Sequence, residues 1–263
     1  MTDSSAPIAG GVLSADIAVP KHDEVVAFYS RVLSTGTAPL WRPDLMNNVG
    51  TPVIGVGERV EAYAHLPLQW MPHIQVSDVA ASVAQALGRG GHELMHHEDE
   101  SGRSQWAVLR DANGAAFGII PAVPPEAAPA TGDPSSGSGD GVGRISWLDL
   151  TVPDAGSTRD FYQAVVGWSW RGVDMEDADG GYSDYVLSSD DGSAVAGVCH
   201  ARGVNRGLPL AWLIYLPVGD LAESLRLVAE GGGEVLRSSG SDTDLSYAVI
   251  RDPVGAHLAL VQG

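Results

Sequence analysis

Residues Gly143 to Trp168, GRISWLDLTVPDAGSTRDFYQAVVGW, decide how this chain is read. Over Ile145 to Val152, Leu148, Leu150 and Val152 alternate with Trp147, Asp149 and Thr151, the period of two expected of a half-buried strand. Pro153-Asp154 ends the run, since proline brings no amide proton to a ladder, and Phe161, Val165 and Val166 then recur at helical spacing over Thr158 to Val166. The same order opens the protein as VLSADIAVPKHDEVVAFYSRVL, Val12 to Leu33. Asp16 answers Asp149, Val19-Pro20 answer Val152-Pro153, and Phe28-Tyr29 answer Phe161-Tyr162, all at an offset of 133 (149 minus 16).

Working outward, the match continues. LPLQWMPHIQVSDVAASV from Leu66 aligns with LPLAWLIYLPVGDLAESL from Leu208 at an offset of 142, and AVLRDANGAAFGII from Ala107 with AVIRDPVGAHLALV from Ala248 at 141. The chain is therefore a tandem duplication. The second copy is longer by about nine residues (142 minus 133), most simply in the acidic segment Asp174 to Asp191. Between the copies lies PAVPPEAAPATGDPSSGSGDGVG, whose composition cannot bury apolar area and reads as a flexible linker. The expected organisation is one domain over 8–121, a linker over 122–142 and a second domain over 143–263.

A weaker repeat lies inside each copy. WMPHIQVSD followed by VAASVAQALGRGG, and WLIYLPVGD followed by LAESLRLVAEGGG, again read strand, turn, helix, with Gly91 and Gly233 at helix ends. Three short strands follow; in the first copy they are His92 to His97, Gln105 to Asp111 and Ala115 to Ile120. The fold class is thus α+β, built from four βαβββ units.

These units, the Asp-Pro-x-Gly turn at Asp252 to Gly255 and the Phe-Tyr helix before Val-Val-Gly-Trp together resemble the vicinal oxygen chelate superfamily of glyoxalases, bleomycin-resistance proteins and extradiol dioxygenases. The resemblance covers nearly the whole chain outside the linker. It implies two cup-shaped mixed sheets with helices outside, each cup enclosing a small-molecule cavity. In metal-dependent members it also implies a His at the start of a unit's first strand and a Glu near the end of its last. This sequence departs from that pattern: Ser14, Met71, Trp147 and Leu213 stand where the His belongs, and Gly118, Ala259, Ile54 and Ala196 where the Glu belongs.

A displaced set is therefore weighed. Two positions along each strand, on the same face, come Asp149, Tyr215 and His257 in the second copy, with His200 further along its strand. Asp149, His200 and His257 are ligand types that would hold a divalent metal such as iron, zinc, manganese or nickel. The first copy offers Asp16, His73 and Glu58 at the corresponding places, with Ala116 at the fourth. The alternative reading of all these residues is polar lining of a wet pocket. Asp149 and His200 are the candidate acid–base pair, and Trp147, Tyr215, Arg202, His73 and Asp16 the candidate ligand contacts, with Arg202 and His200 at the rim. Cys199 beside His200 is read as a small buried thiol, because adjacent strand residues point to opposite faces. His96 to Glu100 is read as a solvated loop. The Gly-x-Gly pairs at Gly55-Gly57 and Gly141-Gly143 lack the third glycine of a dinucleotide fingerprint.

A formal net charge of −18, from 15 Lys+Arg against 33 Asp+Glu, argues against nucleic acid or an anionic membrane as a partner. One cysteine allows no intrachain disulfide, and MTDSSAPIAG lacks the basic start and apolar run of a signal peptide, so the expected compartment is the cytoplasm. Two functions remain open: a metal-assisted lyase, isomerase or oxygenase, and a sequestering protein that binds an antibiotic or metabolite without chemistry. Four units in one chain suffice for a monomer and equally allow a homodimer.

Overall fold

The computed structural model describes residues 8–124, 143–239 and 246–263, so most of the linker expected at 122–142 lies outside it. The first copy supplies strand β1 (Val12–Val19), helix α1 (His22–Val32), β2 (Ile54–Glu58), β3 (Met71–Val76), α2 (Val79–Gly88), β4 (His92–Glu98), β5 (Ser104–Arg110) and β6 (Ala116–Pro121). The second supplies β7 (Trp147–Val152), α3 (Ala155–Val166), β8 (Ser169–Asp177), β9 (Gly180–Ser188), β10 (Ala194–His200), β11 (Trp212–Val218), α4 (Leu221–Glu230), β12 (Glu234–Ser239), β13 (Tyr247–Arg251) and β14 (His257–Gln262). The strands form two mixed sheets, of six strands in the order β2-β1-β3-β6-β5-β4 and of eight in the order β12-β13-β14-β11-β7-β10-β9-β8. In the first βαβββ unit of copy one, β2 is the one full strand after α1 among the described residues; isolated bridges at Trp41–Asn47 and Met46–Pro52 stand where the other units have further strands.

The helices begin where the sequence stops the ladders. Asp78, Asp154 and Asp220 are the N-caps of α2, α3 and α4, their side chains accepting from the backbone N–H of Ala81, Ser157 and Glu223 at 3.0, 2.9 and 2.9 Å. α3 ends on Gly167 in the left-handed region (φ 92°), where glycine carries no steric penalty. The acidic segment Asp174 to Asp191, where the second copy is longer, lies largely in the β8–β9 hairpin, and the expected loop at His96 to Glu100 is strand as far as Glu98.

Cα packing groups the described residues into two compact units. The first holds residues 8–13, 71–124 and 148–212, the second residues 14–70, 143–147, 213–239 and 246–263. Each unit thus combines a half of copy one with a half of copy two. In the first, α2 and α3 pack together over cores that include Ile74, Phe117, Leu148, Leu150 and Tyr162; in the second, α1 and α4 do so over Ile17, Tyr29, Leu216 and Leu258, all at most 1% exposed.

Equivalent buried polar turns sit in both units. Asp111 accepts at Oδ1 from the backbone N–H of Asn113 and Ala115 (2.8 and 2.9 Å) and at Oδ2 from Tyr162 Oη (3.2 Å), which itself accepts from Trp212 Nε1 (2.9 Å). Asp252 accepts at Oδ1 from Val254 and Ala256 N–H (3.0 and 2.8 Å) and at Oδ2 from Tyr29 Oη (2.9 Å), which accepts from Trp70 Nε1 (3.4 Å). Burial explains both features: a carboxylate taken from water needs donors, and the turn amides with the tyrosine supply them.

Candidate ligand-binding site

In each βαβββ unit the first strand runs parallel to the last, so one register fixes which side chains share a face. Four in-register pairs recur: Asp16 with Gly55, His73 with Gly118, Asp149 with Gly197, and Tyr215 with Ala259. The neighbours Ile17, Ile74, Leu150 and Leu216 point into the core, so alternation turns these four first-strand residues to the opposite, helix-free face. Asp16 is exposed there, and His73, Asp149 and Tyr215 are half-buried.

This register moves two expected positions. The residues beside Asp16 and Asp149 are Gly55 and Gly197, and not Ile54 and Ala196, which are 6% and 0% exposed. A slip of one residue reverses the face, which sends Ile54 and Ala196 to the core. All four places that would carry a family glutamate therefore hold Gly or Ala. At two of them a first-strand side chain also overlies the strand: a Cβ on Gly118 would lie 2.6 Å from His73 Cδ2, and a Cβ on Gly55 would meet the Asp16 carboxylate, so a larger residue would need that side chain to turn aside. The first-strand side chain lies across the space a ligating carboxylate would need. Among the described residues no group of three or more His, Cys, Asp or Glu is placed to hold a metal, and Asp149, His200 and His257 form none. The residues present do not fit the divalent metal that the family resemblance implies.

In the first unit, Cys199 lies opposite Thr151 and His200 opposite Val152. Cys199 thus shares the face of Asp149, while His200, three residues from Gly197, belongs to the alternate set. Alternation alone gives the expected pair Asp149 and His200 opposite faces of the sheet. His200 instead serves Asp184: its backbone N–H and Nδ1 lie 2.7 and 3.1 Å from Asp184 Oδ1, and Asn205 Nδ2 lies 3.4 Å from Oδ2. Arg202 is likewise engaged, with both its Nε (2.8 Å) and Nη2 on the Asp177 carboxylate and its guanidinium 4.3 Å from the Tyr182 ring centroid. The two expected rim residues hold residues 200–205 against the β8–β9 hairpin. Asp177 and Asp184 lie in the acidic segment Asp174 to Asp191, in which the sequence marks no single carboxylate for a partner. The Arg202 guanidinium holds the Asp177 carboxyl down to about 2. Burial, followed by the negative charges of Asp149 and Asp184, pushes the Cys199 thiol far up, so it stays protonated near neutral pH.

In the second unit the helix-free face is aromatic. Tyr215 and Tyr247 meet at a centroid distance of 5.8 Å and an interplanar angle of 51°. His257, two residues before Ala259 on β14, faces the same way, opposite Arg251. Burial and then the charge of Arg251 lower its pKa, which leaves a neutral imidazole near pH 7. Arg251 is paired with Glu234. Trp147, which opens β7, is half-buried. The face offers stacking surfaces and a neutral imidazole beside the Arg251–Glu234 ion pair.

No helix among the described residues is long and apolar enough to cross a membrane. Comparison with known proteins agrees with the geometry. Residues 14–120 match the model of a glyoxalase-like domain, and residues 144–260 match that of the glyoxalase/bleomycin resistance protein/dioxygenase superfamily. Similar curated proteins are the anthracycline biosynthesis proteins DnrV of Streptomyces peucetius and DauV of Streptomyces sp. (strain C5). Each is 27% identical over 197 residues, which cover 75% of this chain and 66% of the relative. The chain thus spans just under two-thirds of those relatives' length. The 2,2',3-trihydroxybiphenyl 1,2-dioxygenase of Sphingomonas wittichii strain RW1 has the same fold, with a TM-score of 0.54 at 12% identity over 98% of this chain and 91% of that one. Two matched models in tandem, over a fold shared along almost its whole length, show that this chain belongs to the glyoxalase/bleomycin resistance protein/dioxygenase superfamily.

Proposed function

We propose that the protein binds a planar aromatic small molecule on the helix-free face of its sheets, by stacking and hydrogen bonding and without a chelated metal. It acts on this reading as a sequestering or carrier protein. The observation that carries it is the small residue at each of the four glutamate positions, two of them covered by a first-strand side chain. A lyase, isomerase or oxygenase of the metal-dependent kind draws its chelating carboxylate from those positions, and here none of them carries one. What the face does present, Tyr215, Tyr247 and a neutral His257, suits a flat unsaturated ligand. The relation to DnrV and DauV supports an anthracycline-like polycycle as the class.

The test pairs two measurements. Elemental analysis of purified wild type, Asp149→Ala and His257→Ala should show iron, zinc, manganese and nickel well below one equivalent in all three. Titration with an anthracycline should quench tryptophan fluorescence saturably, and Tyr215→Ala should weaken binding about tenfold, the effect of losing roughly 1.4 kcal/mol of stacking. Near-stoichiometric metal that falls in either variant would overturn the reading, as would anthracycline binding unchanged by Tyr215→Ala.

A further inference from the structure

The buried contacts within each compact unit join one copy of the duplication to the other, and they do so reciprocally. Tyr29 of the first copy closes the turn of Asp252 in the second, and Tyr162 of the second closes the turn of Asp111 in the first. Phe28 would lie 3.2 Å from a Cβ on Gly233, and Phe161, its equivalent, 3.2 Å from a Cβ on Gly91, the equivalent of Gly233. These glycines, expected only as helix-end turns, are the places where the other copy's phenylalanine presses against the backbone. Further bonds cross in the same sense. Thr35 Oγ1 lies 2.7 Å from Ser224 Oγ, Ser224 donates to Val32 O at 2.8 Å, and Trp41 Nε1 donates to Pro217 O at 2.7 Å. In the other unit Asn113 Nδ2 donates to Thr158 Oγ1 at 3.0 Å, and Trp168 Nε1 to Gly10 O at 2.8 Å. Tyr29, Tyr162 and Ser224 are fully buried, and Trp41 and Trp168 are 1% exposed.

We infer that the two copies are not independently folding domains: each is the binding partner of the other, and their association is carried by these crossed contacts and not by the linker. A residue i of one copy meeting j of the other, with j's equivalent meeting i's, is the isologous pattern of a two-fold interface. Here one chain holds both partners. A copy on its own would expose a helix face and part Tyr29 from Asp252 or Tyr162 from Asp111, leaving the aspartate only its turn amides and the tyrosine hydroxyl without its acceptor, which is unfavourable.

A protease site inserted between Ser135 and Ser136 of the full chain tests this directly, because the folded protein can be cut after purification. The two fragments should co-elute at the position of the uncut chain and melt in one transition. Tyr29→Phe with Tyr162→Phe in the cut protein should raise the fragments' dissociation constant roughly 100-fold, since each loses a hydrogen bond to a carboxylate. Cut fragments that elute apart with their circular dichroism intact, or a melt that resolves into one transition per copy, would overturn the inference. A dissociation constant unmoved by the double variant would overturn the role of the crossed tyrosines.

Discussion

Substitution Tyr162→Phe removes one oxygen atom from the buried chain Trp212–Tyr162–Asp111 and leaves every ring in place. Two groups then lose a partner. Trp212 Nε1, in a side chain with no exposure, loses its acceptor at 2.9 Å, and Asp111 loses its donor at 3.2 Å while keeping the backbone amides of Asn113 and Ala115. A hydrogen bond to a charged group contributes about 1.5–3 kcal/mol and a stranded buried donor costs about 1–3, and the two overlap, so the expected loss is about 2–3 kcal/mol near neutral pH. For a chain of this size that lowers the Tm by roughly 4–12 °C.

The same geometry gives the loss a pH dependence. Burial raises the Asp111 carboxyl above its ordinary range, against the lowering effect of the bonds from Ala115, Asn113 and Tyr162. A raised carboxyl means that, between the unfolded and folded values, the native state holds a proton that the unfolded chain has lost; stability therefore falls as pH rises through that window. Without the Tyr162 hydroxyl the folded value rises further. The deficit of Tyr162→Phe should thus be smaller at acid pH, where only the Trp212 contribution remains, and reach its full size above the folded pKa. Urea unfolding followed by circular dichroism at several pH values measures it, with Tyr63→Phe, at a residue 38% exposed, as a control expected within about 0.5 kcal/mol of wild type. A deficit under about 0.5 kcal/mol at pH 7 would refute the polar chain as a source of stability. A deficit equal at all pH values would refute the part assigned to the carboxylate.

Two further outcomes follow from the site. Gly118→Ala should cost about 1–3 kcal/mol in the native chain, because the new methyl meets the His73 ring, and much less in a His73→Ala background; equal costs in both would show that the imidazole does not lie across that strand. In Arg202→Gln the Asp177 carboxyl should climb from about 2 toward the ordinary value of about 3.9, read by NMR titration of the side chain; no movement would mean that the pairing seen here does not set it.

Much of the fold is legible because it is local. Alternation in WLDLTV, the Pro-Asp stop and the Phe-Tyr spacing each act within a few residues, and the duplication repeats them at a constant offset. The register between strands is less so. Alternation says which residues share a face of one strand and is silent on which residue of a strand about 40 positions away lies alongside, so Gly55 and Gly197 are read one place off, as Ile54 and Ala196. That single step decides whether a carboxylate could stand beside Asp16 or Asp149. Strand β4 shows a related limit: His96, His97 and Glu98 have the composition of a loop, yet pairing with β5 along the sheet edge keeps them extended. Asp177 and Asp184 escape notice for another reason. Nothing nearby in the chain marks which members of an acidic run will meet Arg202 and His200, 25 and 16 residues further on.

The pairing of the two copies lies beyond sequence reading in principle. A duplicated chain holds two tyrosines, Tyr29 and Tyr162, and two turn aspartates, Asp111 and Asp252. Composition and local pattern are identical whether each tyrosine meets the aspartate of its own copy or that of the other. The crossed arrangement spans 223 residues in one case and 51 in the other, against 82 (111 minus 29) and 90 (252 minus 162) for the uncrossed one. Loop-closure entropy grows only logarithmically with separation, so the cost of the longer closure is about 0.6 kcal/mol per doubling. Packing that buries four aromatic residues and satisfies two carboxylates outweighs that easily. The choice between crossed and uncrossed pairing therefore rests on how the helices α1 with α4 and α2 with α3 fit each other, a property of three-dimensional surfaces that the repeat alone does not encode.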